Sequence, residues 1–185
     1  MNKQLDIREK ALPTLKSKET ALRIEVKRIA AEIERIQQKL QENDESMNSF
    51  IALWVEFPDI VSIKNADISL KNIAGVKIPI LEHLEFDVAP VSYINQPAWV
   101  PIGIQILKER ISLKTELKTK GRQFDILNYA RKKTTQKVNL YEKVQIPEFR
   151  SAVLKIKRFL EDAENLSKSA QKIVKQRNAE KEAAL

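Results

Sequence analysis

Residue types that carry out chemistry are scarce in this sequence, and they do not form a workable catalytic set. Its one histidine, His83, lies in the stretch LEHLEF, and the chain has no cysteine. A metal site needs several ligands at suitable spacing, and the sequence around His83 supplies no partner. Without cysteine there are no disulfides, no thiol catalysis and no cysteine-ligated zinc. We therefore interpret His83 as an ordinary surface or strand residue.

Phosphate-binding and acid–base motifs are missing as well. Gly75, Gly103 and Gly121 are isolated, and none precedes a Lys-Ser or Lys-Thr pair, so there is no glycine-rich phosphate loop. Carboxylates are plentiful, but lysines follow them at helical spacing, which is typical of solvated ion pairs. We expect no catalytic residue, no cofactor and no metal, and we predict that the chain is not an enzyme.

The positive charge of the chain admits a polyanionic partner. The formal net charge is +8 at pH 7, and a basic surface attracts nucleic acid or anionic lipid. The densest basic run, Ala130–Lys137, is flanked only by Tyr129 and Tyr141, too few aromatic rings for stacking on bases. We favour a solvated or protein-binding helix face and expect no nucleic acid. The alternatives are a basic coiled-coil nucleic-acid-binding module and a coiled-coil scaffold.

The elements that would position any site follow a helical period. In the first half, steps of three and four residues from Leu12 to Phe57 give an apolar residue at nearly every position. A seam sustained over so many heptads is typical of a coiled coil, because one long helix cannot bury it alone. We predict an N-terminal helix over 12–57 that needs a partner helix. The seam residues are Leu22, Val26, Ile29, Ile33, Ile36 and Leu40.

The second half supplies a partner helix, predicted over 104–178. Pro147 is the one proline in this stretch, and proline inside a helix removes a hydrogen bond and bends or ends the helix. Beyond it the apolar stripe resumes, with seam residues Val153, Ile156 and Leu160. We predict that the two helices pair antiparallel, which makes the chain one elongated domain over 1–185.

The insert between the helices, 58–103, has the alternating pattern of half-buried strands. A turn at Asn72–Gly75 predicts a β-hairpin, with Pro79 on an edge strand. Trp99 follows in a proline-rich loop, either as a plug over the hairpin core, which we favour, or as a partner anchor. The predicted fold is mainly α: a long antiparallel two-helix coiled coil with a small β-hairpin insert. No apolar run reaches the roughly 20 residues of a membrane span, so we expect no direct membrane insertion.

Three stretches together resemble the D-subunit family of V-type and A-type rotary ATPases. KTTQKVNLYEKVQIPEFRSAVLKIK, 133–157, is similar to a signature of that family's C-terminal helix. NIAGVKIPIL, 72–81, is similar to its central segment, and LKSKETAL, 15–22, to an N-terminal pattern. The main matching positions are Thr134, Val138, Asn139, Glu142, Ile146 and Pro147, and Asn72, Gly75, Val76, Ile78 and Pro79.

The resemblance implies a non-catalytic central-stalk component, the rotor shaft of such a complex. A shaft of this kind couples ATP hydrolysis or synthesis to ion transport, here of H⁺ or Na⁺. The implied partners are the catalytic and regulatory subunits of the ATPase hexamer, the small F subunit and the socket subunit of the membrane rotor. The implied location is cytoplasmic, peripheral to the membrane.

The resemblance also assigns surfaces to these partners. The central-segment positions from Asn72 to Pro79 would form a partner-binding hairpin. The end of the C-terminal helix would face the hexamer, through Lys168, Lys172, Ile173 and Lys175. Pro147 would be a bend in a helix held by its partner. Gln136 departs from the signature, which has arginine there.

Overall fold

The computed structural model describes residues 2–48, 54, 57–58, 60–90 and 99–183. Over these residues the protein is mainly helical with a two-stranded antiparallel hairpin in the middle, as the sequence predicted. The coiled-coil pairing of the helices stays a prediction. The elements are α1 (Asn2–Asn48), β1 (Val61–Ile73), β2 (Val76–Val88), α2 (Val100–Leu140), a π-helical turn (Tyr141–Gln145) and α3 (Ile146–Ala183).

The helix ends differ from the predicted ones. α1 begins at Asn2, before the predicted residue 12, and it continues through Pro13. α2 begins at Val100 rather than at 104. The second helical stretch is one α-helix up to Leu140 and another from Ile146, with the π-helical turn between them. The predicted end of the first helix, residue 57, lies beyond the last described residue of α1.

The hairpin has a two-residue turn, and its register shifts at two irregularities, between Ile63 and Asn65 and between Asp67 and Ile68. β1 pairs with β2 from Val61 opposite Val88 to Ile73 opposite Val76. The two turn residues, Ala74 and Gly75, have φ values of 49° and 75°. Two left-handed residues give a turn whose twist matches that of paired strands. Glycine adopts this conformation freely, whereas Ala74 does so at a cost of about 1 kcal/mol.

The chain divides into two compact units. We call Ser17–Thr135 the hairpin unit, and Met1–Lys16 with Gln136–Leu185 the terminal unit. The core of the hairpin unit contains Leu22 and Ile29 from α1, Ile78 from β2 and Leu127 from α2. Both helices and the hairpin therefore contribute to one core. In the terminal unit, Val138 and Ile146 are the buried apolar residues among those described.

Candidate partner-binding surfaces

The predicted seam of α1 lies on one face of the helix in the hairpin unit. Leu22 and Ile29 are fully buried and Ile36 is 6% exposed. Val26 and Ile33 pack against the same core, and Leu40 is half-buried. Each fully buried leucine or isoleucine contributes about 1.5–3 kcal/mol through removal of apolar surface from water. This face is therefore committed to the interior of the unit.

Polar contacts follow the apolar face along α1 and α2. Glu19 accepts a hydrogen bond from Thr135 Oγ1 at 3.1 Å. Lys120 Nζ lies 2.5 Å from Glu32 Oε2, and Arg110 Nη1 lies 2.9 Å from Asp44 Oδ1. As the numbers rise along α1 they fall along α2, so the two helices run antiparallel within the hairpin unit. Each of these partly exposed ion pairs contributes no more than about 1 kcal/mol.

The Glu19 carboxylate accepts hydrogen bonds from two side chains, those of Arg23 and Thr135. The Arg23 side chain donates hydrogen bonds to it and lowers the pKa of Glu19. Partial burial raises that pKa, and the Thr135 hydroxyl and the nearby Arg131 charge lower it further. The net effect is a pKa below the ordinary value, so the folded hairpin unit favours the charged carboxylate.

The hairpin is attached to α2 by a buried hydrogen bond as well as by Ile78. The side-chain amide of Gln123 donates to the backbone carbonyl of Pro79 at 2.5 Å, and Gln123 is only 3% exposed. At the turn, a Cβ built on Gly75 would lie 3.2 Å from Lys18 Nζ. The turn thus lies against α1, and the strand after it lies against α2.

The outer face of the hairpin is apolar. Ile68 and Leu70 on β1 are 57% and 70% exposed. Their cross-strand partners on β2 are Leu81 and Pro79, and both are half-buried. Paired residues share a face of a sheet and alternate residues repeat it, so these side chains form one block. We call this block the outer hairpin patch.

The hairpin residues predicted to bind a partner differ in how exposed they are. Asn72 and Gly75 are exposed, and Val76 and Pro79 are half-buried. Ile78 is 1% exposed in the core, where a partner cannot touch it while the unit is folded. The residues named from the resemblance do not include Ile68 and Leu70, the exposed apolar residues of the outer hairpin patch. A signal was present, because a two-residue turn at Ala74–Gly75 puts Ile68 and Leu70 opposite the face of Ile78.

The π-helical turn explains how the second helical stretch contains Pro147. Ile146 N–H donates to the carbonyl of Tyr141, five residues earlier rather than four. Pro147 has no N–H to donate and its ring would crowd an α-helical carbonyl. The buried residues before and after the turn, Val138 and Ile146, are eight positions apart instead of seven. The turn therefore accommodates one extra residue and restores the buried face.

Side chains of α1 hold this turn within the terminal unit. The Arg8 guanidinium lies 4.5 Å from the centre of the Phe149 ring, and its Nε donates to Gln145 Oε1 at 2.8 Å. Lys16 Nζ lies 2.6 Å from Glu142 Oε1. Arg150 pairs with Glu9 on α1 at 2.6 Å.

The signature positions are split between interior and surface. Thr134 is 7% exposed and its hydroxyl donates to the Ala130 carbonyl. Val138 and Ile146 are buried, whereas Asn139, Glu142 and Pro147 are exposed. The buried members account for packing, and the exposed Asn139 has no such role in the described residues.

The last part of α3 has its apolar side chains in solvent. Val153 is half-buried, but every described side chain from residue 154 to 179 is exposed. Ile156 and Leu160, predicted as seam residues, are 47% and 60% exposed. They line a groove at the beginning of α1, beside Asn2 and Lys3. Neither residue is buried here, and their pairing with α1 stays a prediction.

The predicted hexamer-facing residues belong to the same exposed segment. Ile173 is 55% exposed, and Lys168, Lys172 and Lys175 are exposed around it. Lys168 forms an ion pair with Glu164 at 2.7 Å on the same helix. The segment therefore presents a mixed apolar and basic surface.

Trp99 lies in an aromatic cluster rather than over the hairpin core. Its ring packs edge-on against Trp54, with centroids 6.1 Å apart, and lies 5.6 Å from Phe57. A Cβ on Gly103 would lie 2.6 Å from the Phe57 ring, so this close approach requires glycine. The cluster packs around the first turn of α2.

The part of the chain that the structure describes contains neither a metal-binding cluster nor a membrane-spanning helix. Its described side chains contain no group of three or more His, Asp or Glu residues able to hold a metal ion. None of the helices in the described ranges is long and apolar enough to cross a membrane. His83 is exposed at the rim of a groove between β2 and α2.

Comparison with known proteins gives consistent matches along the chain. The family model for the D subunit of ATP synthase matches residues 1–176. The D subunit of the V-type ATP synthase of Borreliella burgdorferi is 34% identical over 175 residues, which cover 93% of this chain and 87% of the relative. A Chlamydia abortus protein of the same name is 28% identical over 186 residues, covering 95% and 89% of the two chains.

Proposed function

Because this chain belongs to the D-subunit family of ATP synthases, we propose that it is the central-stalk shaft of a V-type or A-type rotary ATPase. In this role it transmits rotation between the catalytic hexamer and the membrane rotor, and it carries out no chemistry itself. The observation that carries the proposal is the family match over nearly the whole chain, together with 34% identity to the D subunit of a V-type ATP synthase.

A shaft must resist twisting, and the contacts of the hairpin unit support this role. The buried seam of α1, the antiparallel run of α2 and the ion pairs at Glu32 and Asp44 restrain sliding of one helix past the other. Close-packed interiors transmit strain, because they have few voids to absorb it. We propose that the two helical stretches pair as a coiled coil and act as the stiff element of the rotor.

The outer hairpin patch is the surface that we assign to a small rotor partner, the counterpart of the F subunit. Exposed apolar blocks with a polar rim are typical of protein-binding surfaces. Ile68 and Leu70 are exposed on the ordered hairpin, so a partner can bind them without refolding the core. Gln123 and Ile78 keep the hairpin against the helices, which links the partner to the shaft.

The exposed end of α3 is the segment that we assign to the inside of the hexamer. Its lysines and Ile173 need no reactive side chain for this role, because a shaft acts through shape and charge. The opposite end of the rotor would contact the socket subunit above the membrane ring.

The proposal is tested by isolating the native complex with a tag on this chain and identifying its partners. Co-purification of catalytic and regulatory ATPase subunits with a small rotor subunit is expected. Isolation with nucleic acid and without ATPase subunits, with binding that weakens steeply as salt rises, would instead support the nucleic-acid module.

The hairpin assignment has its own test with a matched control. Leu70→Lys should weaken binding of the small rotor subunit at least tenfold, since it puts a charge in the apolar patch. Ile24→Lys changes a similarly exposed residue, 60% exposed on α1, and should leave binding unchanged. Equal affinity in both variants would move the site from the hairpin to the helices.

A further inference from the structure

The apolar stripe at the end of α3 is an uncovered helix face with a regular repeat. Phe159 and Leu166 are each 72% exposed, and Ala163 and Ala170 are exposed between them. Successive positions are three and four residues apart, which is the spacing of a coiled-coil seam. The stripe consists of Ile156, Phe159, Ala163, Leu166, Ala170 and Ile173.

Large and small residues alternate along the inner part of this stripe, and this alternation determines which orientation of a second stripe packs well against it. In heptad terms Ile156, Ala163 and Ala170 occupy one seam position, while Phe159, Leu166 and Ile173 occupy the other. Parallel helices in register pair each position with itself. They would then place alanine against alanine and phenylalanine against phenylalanine, which leaves voids in some layers and crowding in others.

We infer that this stripe binds the same stripe of a second copy of the chain in antiparallel orientation. With the twofold axis between residues 164 and 165, Phe159 faces Ala170 of the other copy and Leu166 faces Ala163. Ile156 faces Ile173 at both ends of the stripe. Large residues thus meet small ones in the four inner layers, as efficient packing requires.

The flanking side chains are compatible with this arrangement. Asp162 approaches Ser169 of the other copy, so two like charges do not meet at this position. Two exposed stripes bury their apolar surface on pairing, which favours association through the hydrophobic effect.

This inference goes beyond the shaft function and has a consequence for assembly. Ile173 belongs both to the self-binding stripe and to the segment assigned to the hexamer interior. One copy cannot use this face in both ways at once. Self-association therefore covers the apolar stripe before assembly, and binding to the hexamer dissociates the dimer.

The first test is the oligomeric state of the purified full chain, measured by sedimentation equilibrium over a wide concentration range. A reversible monomer–dimer equilibrium is expected. Leu166→Lys should weaken dimerisation at least tenfold, because it puts a cation at the centre of the interface. The control Leu154→Lys replaces a residue that is 55% exposed on the opposite side of α3 and should leave dimerisation unchanged. A monomer at every concentration, or equal loss in both variants, would overturn the inference.

Orientation is tested with single cysteines, which are unambiguous because the chain has none. Phe159→Cys and Ala170→Cys chains, when mixed and oxidised, should form a disulfide-linked heterodimer. Each variant alone should not, because its two cysteines would lie about 16 Å apart along an antiparallel pair. Efficient homodimer formation by Ala170→Cys alone would establish parallel pairing and overturn the antiparallel arrangement. Circular dichroism of each variant checks that its helices are intact.

Discussion

Gln123 links the hairpin to the helices at the scale of a single residue. Its side chain is 3% exposed, and its amide donates to the Pro79 carbonyl, which belongs to a strand 44 residues away in sequence. Thr134, the other buried polar residue among those described, bonds only within its own helix, to Ala130. Gln123 is therefore the buried polar group whose bond specifies tertiary structure.

Replacing Gln123 should loosen the hairpin unit. Gln123→Ala leaves the Pro79 carbonyl without its donor in a buried setting, which costs about 1–3 kcal/mol of unfolding free energy. Urea unfolding followed by circular dichroism measures the change. Gln105→Ala alters an exposed glutamine of the same helix and should change stability little. A stability loss no larger than that of the control would contradict the role of this hydrogen bond.

Glu19 makes the stability of the hairpin unit depend on pH. Its pKa is lowered in the folded state by Arg23 first, then by Thr135 and Arg131, against the opposing effect of burial. A lowered carboxylate pKa stabilises the fold above the unfolded-state pKa, and this contribution is lost as pH falls through the folded-state pKa. Glu19→Gln should therefore destabilise the protein at neutral pH and reduce the stability lost on acidification.

Unfolding free energies of the wild type and of Glu19→Gln, measured from neutral pH down through the folded-state pKa of Glu19, check this prediction. Glu34→Gln is the control, since Glu34 lies on the same helix and outside the core contacts of the seam. Parallel pH profiles for the wild type and Glu19→Gln would contradict it.

Sequence patterns predicted some of these residues and could not predict others. The seam residues Leu22 and Ile29 follow from the heptad repeat, because apolar periodicity on a long helix demands burial. Gln123 gives no such signal, since its bonding partner is fixed only when the hairpin docks. Ile78 was assigned to a partner surface because the resemblance includes it among the central-segment positions, and strand alternation does not say which face is buried.

The π-helical turn is the feature that matters most at the scale of elements. Val138 and Ile146 both face the interior although eight positions separate them, and a continuous α-helix would turn the second residue away by about 100° relative to a seven-residue spacing. Such turns arise from a single inserted residue and are frequent at functional sites. Here the turn aligns the buried face and also makes room for Pro147.

Deleting Val144 removes the inserted residue and should convert the turn to α-helix. Val144 is 42% exposed, so loss of its own side chain should change the free energy of unfolding little. The deletion should cost about 3 kcal/mol while Pro147 remains, because the proline then lies in an α-helix interior. Adding Pro147→Ala should recover most of that loss. Thermal unfolding of both variants measures the difference. Equal stability of the two deletion variants would show that the π-helical turn is not needed to accommodate Pro147.

The hairpin and the helices were predicted because each has a residue pattern within its own stretch of sequence. The helix ends were not predicted correctly, because no such pattern marks them. The hairpin follows from alternating residues around a turn, and α1 from its seam. The beginning of α1 at Asn2 could not be predicted from the seam, because residues 2–4 are polar and exposed. The π-helical turn was not predicted either, since it results from a one-residue offset between two apolar stripes that each have the helical period.

At the scale of the whole molecule, burial is distributed unevenly along the chain. The hairpin unit has a core built from three elements. The described side chains from 154 to 179, by contrast, are all exposed on one helix. A helical segment whose side chains are all exposed adds little to the stability of the fold, since most helical stability in proteins comes from packing. Its apolar and basic side chains are therefore available for binding other chains.

Truncation after Leu166 separates binding by this segment from folding of the rest. Because the removed side chains up to residue 179 are exposed, the truncated chain should keep its unfolding free energy in the hairpin unit within about 0.5 kcal/mol, as surface changes usually do. In the assembled complex it should allow hexamer assembly and some ATP hydrolysis, while torque and the coupling of hydrolysis to ion transport fall. The cause would be loss of the surface on which the hexamer pushes.

The triple variant Lys168→Gln, Lys172→Gln and Lys175→Gln distinguishes shape from charge in this segment. It keeps the length of the helix and removes the cations, so torque close to that of the wild type would assign the effect to steric fit. Reduced torque in the variant would assign it to charge. Single-molecule rotation and ion uptake measured alongside hydrolysis give both quantities. Full torque and full coupling in the chain truncated after Leu166 would instead mean that the end of α3 is a solvated terminus with no part in force transmission.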